Sequence, residues 1–141
     1  ATVMYPKQNR LMIDAGTCIT YEFVKAENQY LGGAISPGIK IRYKSLNNYT
    51  SKLPLLTLSE DFEIIGNSTK SAIHSGVING VIFEIEGFIS QYSLKNQDLT
   101  IILTGGDAEF LAKRLKSTIF ANSNFLLESL NLLSLYTQKN D

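Results

Sequence analysis

The chain is poor in the residues that would build a disulfide framework, a multi-cysteine metal site or a histidine-based active site. Its 141 residues include one cysteine, Cys18, and one histidine, His74. A lone cysteine forms no internal disulfide, and such usage is typical of a reducing cytoplasm. We expect Cys18 to be a small buried hydrophobic residue. Because His74 has no serine, cysteine or acidic partner at a recognisable spacing, we expect it to be structural or solvated.

The sequence also lacks an excess of charge and a long apolar run. Thirteen Lys and Arg residues balance 13 Asp and Glu residues, and basic residues do not cluster beyond Lys40, Arg42 and Lys44. This balance gives no reason to expect binding to nucleic acid or to an anionic membrane. No apolar run approaches the roughly 20 residues of a membrane-spanning helix, and the start has no signal-peptide core. With 44% hydrophobic residues, we expect one soluble globular domain over residues 1–141.

The pattern of apolar residues predicts an α/β order of elements. Three strands come first, and the short turns between them predict an antiparallel meander. Ser36-Pro37 is expected to cap and begin a helix, and residues 48–67 are expected to form a mobile or substrate-facing loop. A long helix and an alternation of strand, helix, strand and helix follow. The predicted strands cover residues 10–14, 18–25, 30–35, 99–103 and 118–121, and the predicted helices cover 36–47, 70–92, 108–116 and 126–136.

The predicted long helix carries small residues at four-residue intervals: Ala72, Gly76 and Gly80. A glycine inside a helix costs about 1 kcal/mol relative to alanine. The two glycines therefore indicate that another backbone approaches this face closely. Tight packing inside the domain is the favoured explanation, and contact with a partner subunit is the alternative.

Residues 11–20, LMIDAGTCIT, place a carboxylate (Asp14), a bare glycine (Gly16) and a hydroxyl (Thr17) at a turn between two strands. Ligands of α/β sheets gather at the carboxyl ends of strands. Such a turn can hold a cation and a phosphate oxygen together. The same residues also suit a tight hairpin that binds nothing, and the tetrapeptide alone does not decide between the two.

Residues 104–107, TGGD, repeat this arrangement at the end of a second strand. Gly105 and Gly106 leave room for a ring or a phosphate above the start of the next helix, which Asp107 is expected to cap. A capped junction without a ligand is the alternative. Residues 32–38, GGAISPG, form a third glycine-rich corner, which we expect to serve packing first and a ligand wall second.

The order of elements is similar to the ribonuclease-H-like half of the actin, sugar-kinase and chaperone ATPase superfamily. That fold is a mixed sheet, an antiparallel three-strand meander plus parallel strands, with helices on both faces. Four segments in succession closely resemble the C-terminal half of type III pantothenate kinase: LMIDAGTCITYEFV, YLGGAISPGIKIRYKSLNNYT, IGNSTKSAIHSGVINGVI and LTIILTGGDAEFLAKRL. The resemblance implies a cytoplasmic homodimer that phosphorylates pantothenate with ATP and Mg²⁺ in the first step of coenzyme A synthesis. It also implies a monovalent cation, potassium or ammonium.

The resemblance implies roles for individual residues. Asp14 would ligate the monovalent cation. Thr17, with Gly16, would contact the phosphates of ATP, and Gly105 and Gly106 would line the nucleotide site.

Thr69 precedes the predicted long helix, and from the residues alone a capping role is favoured over a bond to substrate. The resemblance reverses this preference, because Thr69 matches the threonine that contacts pantothenate. The N-terminal half of the family carries an Asp-x-Gly-Asn-Thr motif and a Gly-x-Asp-Arg motif with the general base, and neither string occurs here. We therefore expect no catalytic residue in this chain and an inactive C-terminal fragment. A non-catalytic actin-like dimerisation or binding module is the alternative.

Overall fold

The computed structural model describes residues 1–140, which form a five-stranded sheet and five α-helices. The strands are β1 (Asn9–Ala15), β2 (Cys18–Val24), β3 (Tyr30–Pro37), β4 (Leu99–Thr104) and β5 (Phe120–Ala121). The helices are α1 (Ile39–Asn48), α2 (Thr69–His74), α3 (Gly80–Lys95), α4 (Ala108–Ala112) and α5 (Phe125–Asn140). A π-helical turn, Ser75–Asn79, joins α2 to α3 in one continuous long helix, Thr69–Lys95.

The sheet has the order β3-β2-β1-β4-β5, with β1 at its centre. β1 pairs with β2, and β2 with β3, in the antiparallel sense, because short turns connect these strands. β4 lies parallel to β1, and β5 lies parallel to β4. Parallel neighbours need a crossover connection, which the long helix supplies between β3 and β4. The predicted fold class, a mixed sheet of the ribonuclease-H-like kind, is confirmed.

The hydrophobic core joins the sheet to the long helix, α1 and α4. Alternate residues of β1 and β2 are buried, as expected for strands with one face covered. The apolar stripe of the long helix is buried as its four- and three-residue spacing predicts. The central core residues are Leu11, Ile13, Ile19, Tyr21, Ile73, Val77, Val81, Ile85, Ile101 and Leu103.

The long helix owes its apolar composition to this packing. By length and composition alone its 27 residues could cross a membrane, but half of its most apolar stretch is buried within the protein. A core helix packed on a sheet has the same composition. The helix is therefore weak evidence for a membrane span.

The small-residue face of the long helix is not packed inside the domain, so the favoured explanation of that stripe was wrong. A Cβ atom added at Gly76 or Gly80 would meet no atom within 4 Å. Ala72 and Gly76 are exposed, and Gly80 is half-buried. The apolar residues of the helix pack against the sheet, so Gly76 and Gly80 lie on a face that has no neighbour within the domain.

Four local predictions were also wrong. Ser36 does not cap α1, because β3 continues through Pro37 and Gly38 takes the N-cap position. Cys18 is exposed rather than buried, because it is the first residue of β2 and follows the hairpin turn. The helix after β4 ends at Ala112, four residues early, and the side chain of Asp107 makes no capping hydrogen bond.

A polar network ties α1, β2 and β3 to the long helix through Glu84. Its carboxylate accepts hydrogen bonds from Tyr21 Oη at 2.9 Å and from the Ser36 hydroxyl, and it forms an ion pair of 2.5 Å with Arg42. Burial alone would raise the pKa of Glu84. The hydrogen bonds from Arg42, Ser36 and Tyr21, with the charge of Arg42, outweigh it and lower the pKa.

Candidate functional site

The hairpin between β1 and β2 carries the first predicted site residues. Gly16 and Thr17 form its two-residue turn, in which the Gly16 N–H donates to the Cys18 carbonyl at 3.0 Å. Asp14 is half-buried near the carboxyl end of β1, and Thr17 is exposed. Neither the Asp14 carboxylate nor the Thr17 hydroxyl has a hydrogen-bond partner within residues 1–140. Both side chains are therefore available to a ligand.

Backbone hydrogen bonds hold two other elements against this hairpin. The Gly38 N–H, at the start of α1, donates to the Thr17 carbonyl at 3.0 Å. The Asp107 N–H, at the start of α4, donates to the Ala15 carbonyl at 3.0 Å. The three glycine-rich corners of the sequence thus meet at one place, which we call the hairpin corner: residues 14–17, Gly38 and residues 104–107.

The glycines of the hairpin corner differ in what surrounds them. Gly105 has a φ of +97°, and a Cβ there would overlap the Ala15 carbonyl and lie 2.5 Å from Asp14 Oδ1. A Cβ at Gly38 would overlap the carbonyl oxygen of the turn. Close backbone approach therefore requires glycine at both positions. Gly16 and Gly106, by contrast, border open space, because a Cβ at either would meet nothing within 4 Å.

Asp107 is a titratable group that sequence reasoning assigned to capping alone. Burial raises the pKa of its carboxyl group. Its carboxylate makes no hydrogen bond or ion pair in the part of the chain that the structure describes. With only five residues, α4 contributes a small dipole. The case for a phosphate at this junction therefore depends on its glycines and not on the helix.

A cavity of about 310 Å³ opens beside the hairpin corner, and we call it the α1 cavity. Ile39 and Tyr43 of α1 and residues 55–58 of the following loop form walls that are mostly apolar. Lys40, Lys44 and Asp107 add charged groups to the lining. The two lysines are four residues apart, so they share one face of α1. The four-residue spacing of the two lysines is visible in the sequence, whereas the position of residues 55–58 in the cavity wall is not.

A second cavity, of about 300 Å³, is lined by part of the same loop, and we call it the Lys70 cavity. It shares residues 55–58 with the α1 cavity and is otherwise lined by Ser59, Lys70 and His74. The loop thus contributes to the lining of two cavities.

The loop is held in place by contacts with the helices on either side. The Arg114 guanidinium lies 3.7 Å from the centre of the Phe110 ring and 5.5 Å from that of Phe62, and it forms an ion pair with Glu60. At the other end of the loop, the Ser75 hydroxyl donates to the Ile64 carbonyl at 2.7 Å. These contacts fix the wall that the two cavities share.

Thr69 does not cap the long helix. Ser68 is the N-cap, and it forms a capping box with Ser71. Thr69 is exposed, and its hydroxyl has no hydrogen-bond partner among residues 1–140. It directly precedes Lys70 of the Lys70 cavity. The hairpin corner and the Lys70 cavity have no residue in common, so the predicted site residues fall into two groups.

His74 is structural, as predicted. It is 5% exposed, and its Nδ1 shares a hydrogen bond of 2.6 Å with Tyr43 Oη. Burial raises the pKa of Tyr43 to about 12. This pair connects α1 to the long helix, and Tyr43 lines the α1 cavity whereas His74 lines the Lys70 cavity.

The hairpin corner offers oxygen ligands for a cation. Asp14 supplies a carboxylate, Thr17 a hydroxyl and the turn its carbonyls, which are the hard oxygen donors that alkali and alkaline-earth ions prefer. No group of three or more His, Cys, Asp or Glu residues that could hold a metal ion occurs within residues 1–140. The donors at the corner thus suit a cation shared with a bound phosphate.

Comparison with known proteins gives consistent matches. The family model described as type III pantothenate kinase matches residues 1–91. The type III pantothenate kinase of Flavobacterium johnsoniae is 63% identical over 141 residues, which cover 100% of this chain and 58% of that protein. The corresponding kinase of Flavobacterium psychrophilum is 64% identical over 136 residues, covering 96% and 56%. The chain therefore spans a little over half the length of these curated relatives.

A solved structure of a conserved Baf family protein from Campylobacter jejuni is similar in fold. It matches with a TM-score of 0.68 at 22% sequence identity and covers 94% of this chain and 60% of that chain. At this level of identity the likeness concerns the fold alone.

Proposed function

Because the chain belongs to the type III pantothenate kinase family, we propose that it supplies the ATP- and cation-binding part of a pantothenate kinase. Such an enzyme transfers a phosphoryl group from ATP to the hydroxyl of pantothenate, the first step of coenzyme A synthesis. Residues 1–141 would form one ribonuclease-H-like domain, the C-terminal half of a two-domain kinase. The observation that carries this proposal is the meeting of Asp14, Thr17 and Gly106 at the hairpin corner.

ATP phosphates would bind at the turn between β1 and β2. The exposed Thr17 hydroxyl would donate to a phosphate oxygen, and the open space beside Gly16 and Gly106 would admit the phosphate chain. Gly105 would keep the backbone close to Asp14 without obstructing it. The unpartnered state of the Thr17 and Asp14 side chains supports this assignment.

Asp14 would hold the monovalent cation, potassium or ammonium, and Mg²⁺ would accompany ATP. A bound cation supplies positive charge against the triphosphate. The chain's own contribution is a half-buried carboxylate that Gly105 keeps in place. A carboxylate is a hard oxygen ligand, which fits such a cation.

Pantothenate would bind at the Lys70 cavity. The free Thr69 hydroxyl would bond the substrate, and the Lys70 ammonium would face its carboxylate. Because the loop of residues 55–58 forms one wall of both cavities, it would separate the two substrates.

Phosphoryl transfer requires positioning and charge stabilisation more than covalent chemistry. Deprotonation of the hydroxyl calls for a carboxylate within roughly 3 Å of it. Asp14 would be engaged by the cation, so we propose that the general base lies outside residues 1–141. The chain would therefore be inactive alone.

The partner we propose in the assembly is a second copy of the chain, joined through the open face of Ala72, Gly76 and Gly80. The absence of any packing against Gly76 and Gly80 within the domain supports this contact. Gly76→Leu should then shift sedimentation towards the monomer, whereas Ser93→Leu, at an exposed site on the same helix, should not. The cytoplasm is the proposed compartment, in keeping with one exposed free thiol.

Complementation tests the proposed activity. The chain is mixed with the separately expressed remainder of the Flavobacterium johnsoniae relative, and pantothenate-dependent ADP release is measured in potassium. We expect release by the mixture, none by either part alone, and loss of release with Asp14→Ala. Asp61→Ala, which removes an exposed carboxylate from the loop, is the control and should retain release. No release from a well-folded mixture would refute the proposal.

A further inference from the structure

The last helix, α5, is apolar on nearly every side, yet the rest of the domain hardly covers it. Between residues 125 and 138 only Phe125 is buried. Glu128 and Lys139 are the only charged residues of the helix. A helix that is apolar all round normally lies inside a protein, and a helix of 16 residues depends on packing for its stability. The exposed sides of α5 therefore form an interaction surface.

Four leucines form one exposed side of α5, which we call the leucine face. Leu126, Leu130 and Leu133 follow one another at spacings of four and three residues, and Leu127 lies beside them. More than half of each of these four side chains is exposed. Contiguous apolar surface of this kind is rare on monomeric soluble proteins and marks a contact with another polypeptide or with a membrane.

A groove of about 510 Å³ borders the leucine face. Leu132 and Tyr136 line it from the helix, and residues 1–4 line it from the start of the chain. Leu133 belongs both to the groove and to the leucine face, so the two surfaces are continuous. A polypeptide that precedes Ala1 in a longer protein is therefore attached next to α5. Such a tether raises its local concentration at the helix well above that of a free partner.

We infer that the groove and the leucine face together dock the polypeptide that precedes this part of the sequence in longer kinases of the family. The inference rests on the proposed function, which makes the chain the C-terminal half of a longer enzyme. The chain matches 58% of the length of the Flavobacterium johnsoniae kinase, so such relatives contain a large further part. The contact joins the half that supplies the general base to the half that binds ATP. The docked surface is apolar and poor in charge at its centre, as α5 is.

Two other occupants fit α5 less well. Helices that lie on a membrane surface are rich in Lys and Arg on their polar side, whereas α5 contains a single basic residue, Lys139. A second copy of the chain is already proposed at the face of Ala72, Gly76 and Gly80. It would also lack the attachment beside residues 1–4 that favours the preceding polypeptide.

Thiol labelling measures whether the leucine face is covered. The 141-residue chain is compared with a fused chain, in which the preceding part of the Flavobacterium johnsoniae kinase is joined to Ala1. Native cysteines are replaced by serine in both proteins, so that only introduced cysteines react. Leu130→Cys should react rapidly in the 141-residue chain and at least about tenfold more slowly in the fused chain. Asn131→Cys, at an exposed polar position one residue away, is the matched control and should react equally fast in both.

Equal labelling of Leu130→Cys in the two proteins would overturn the inference. Protection of Leu130→Cys in the 141-residue chain itself would also overturn it. Protection that appears at high protein concentration assigns the leucine face to a second copy, and protection by phosphatidylglycerol vesicles assigns it to a membrane.

Pantothenate-dependent ADP release by the fused chain separates this failure from that of the proposed function. Release together with equal labelling rejects the docking surface and leaves the proposed function standing. Protection of Leu130→Cys without release supports the docking surface and rejects the proposed function.

Discussion

Gly105 and Gly106 are neighbours in the sequence, yet alanine should have very different effects at the two positions. Gly105 has a φ of +97°, and an added Cβ would overlap the Ala15 carbonyl and approach Asp14 Oδ1 to 2.5 Å. At Gly106 the added Cβ would meet nothing within 4 Å. Gly105→Ala therefore strains the backbone and displaces the Asp14 carboxylate, whereas Gly106→Ala adds a methyl group to open space.

The cost at Gly105 has two parts. A residue other than glycine in this backbone region costs about 1–3 kcal/mol, and forcing neighbouring atoms apart costs about 1–3 kcal/mol more. The free energy of unfolding should fall by about 2–6 kcal/mol in Gly105→Ala and change by less than about 0.5 kcal/mol in Gly106→Ala. With a urea dependence of about 2 kcal/mol per M, the midpoint of the first variant falls by roughly 1–3 M.

Urea unfolding followed by circular dichroism measures both midpoints under one set of conditions. Equal midpoints for the two variants would refute the close approach of β1 to residues 104–107. ATP affinity provides a second readout of Gly105→Ala, which should lower it because the Asp14 carboxylate is displaced. Gly106→Ala is a control for stability alone, because its methyl group would enter the space proposed for the phosphates. A variant that loses stability but binds ATP as wild type does would show that the position of Asp14 is irrelevant to the nucleotide.

Ser68→Ala should lower the free energy of unfolding by about 1 kcal/mol through loss of the capping box, whereas Thr69→Ala should not change it. Glu84→Gln should cost about 1–3 kcal/mol at pH 7. Because the pKa of Glu84 is lowered in the folded state, its stabilisation is present above the ordinary carboxyl pKa and is lost as the pH falls through the folded value. Tyr43→Phe should cost about 1–3 kcal/mol, since it leaves His74 unpaired. The pKa of Tyr43 is raised to about 12, so its stabilisation is complete below about pH 10 and is lost as the pH rises through 12.

Urea midpoints across the pH range check these three predictions. Equal losses in Ser68→Ala and Thr69→Ala would contradict the assignment of the cap. An acid profile of Glu84→Gln that parallels wild type would contradict the role given to its charge. The alkaline loss of stability should be smaller in Tyr43→Phe than in wild type, and an equal loss would contradict the linkage.

The order of the elements could be predicted because apolar residues recur in the sequence with the period of the strand or helix that buries them on one face. Alternation in β1 and β2 and the four- and three-residue spacing of Ile73, Val77 and Val81 each reflect one buried face. The fold class then followed from short turns and one long crossover. Boundaries were less predictable, because Ser36 has the chemistry of a helix cap but pairs with Ile19 in the sheet. Pairing with a neighbouring strand outweighed the local signal.

The hairpin corner could be predicted in part. β1 and β4 are parallel neighbours, so the DAGT and TGGD segments at their carboxyl ends had to meet. The unpartnered carboxylate of Asp107 and the two cavities could not be predicted, because both depend on where residues 49–68 lie. That segment contains no periodic pattern, and the contacts of Arg114 that hold it are distant in sequence.

Calorimetric titration of MgATP into the 141-residue chain tests most directly whether the hairpin corner is a nucleotide and cation site. Wild type and Asp61→Ala should bind ATP in potassium and bind it far more weakly when tetramethylammonium replaces potassium. Asp14→Ala should lose the potassium-dependent binding while its urea midpoint stays close to that of wild type. Undiminished ATP binding by Asp14→Ala, or binding that ignores the cation, would contradict the assignment.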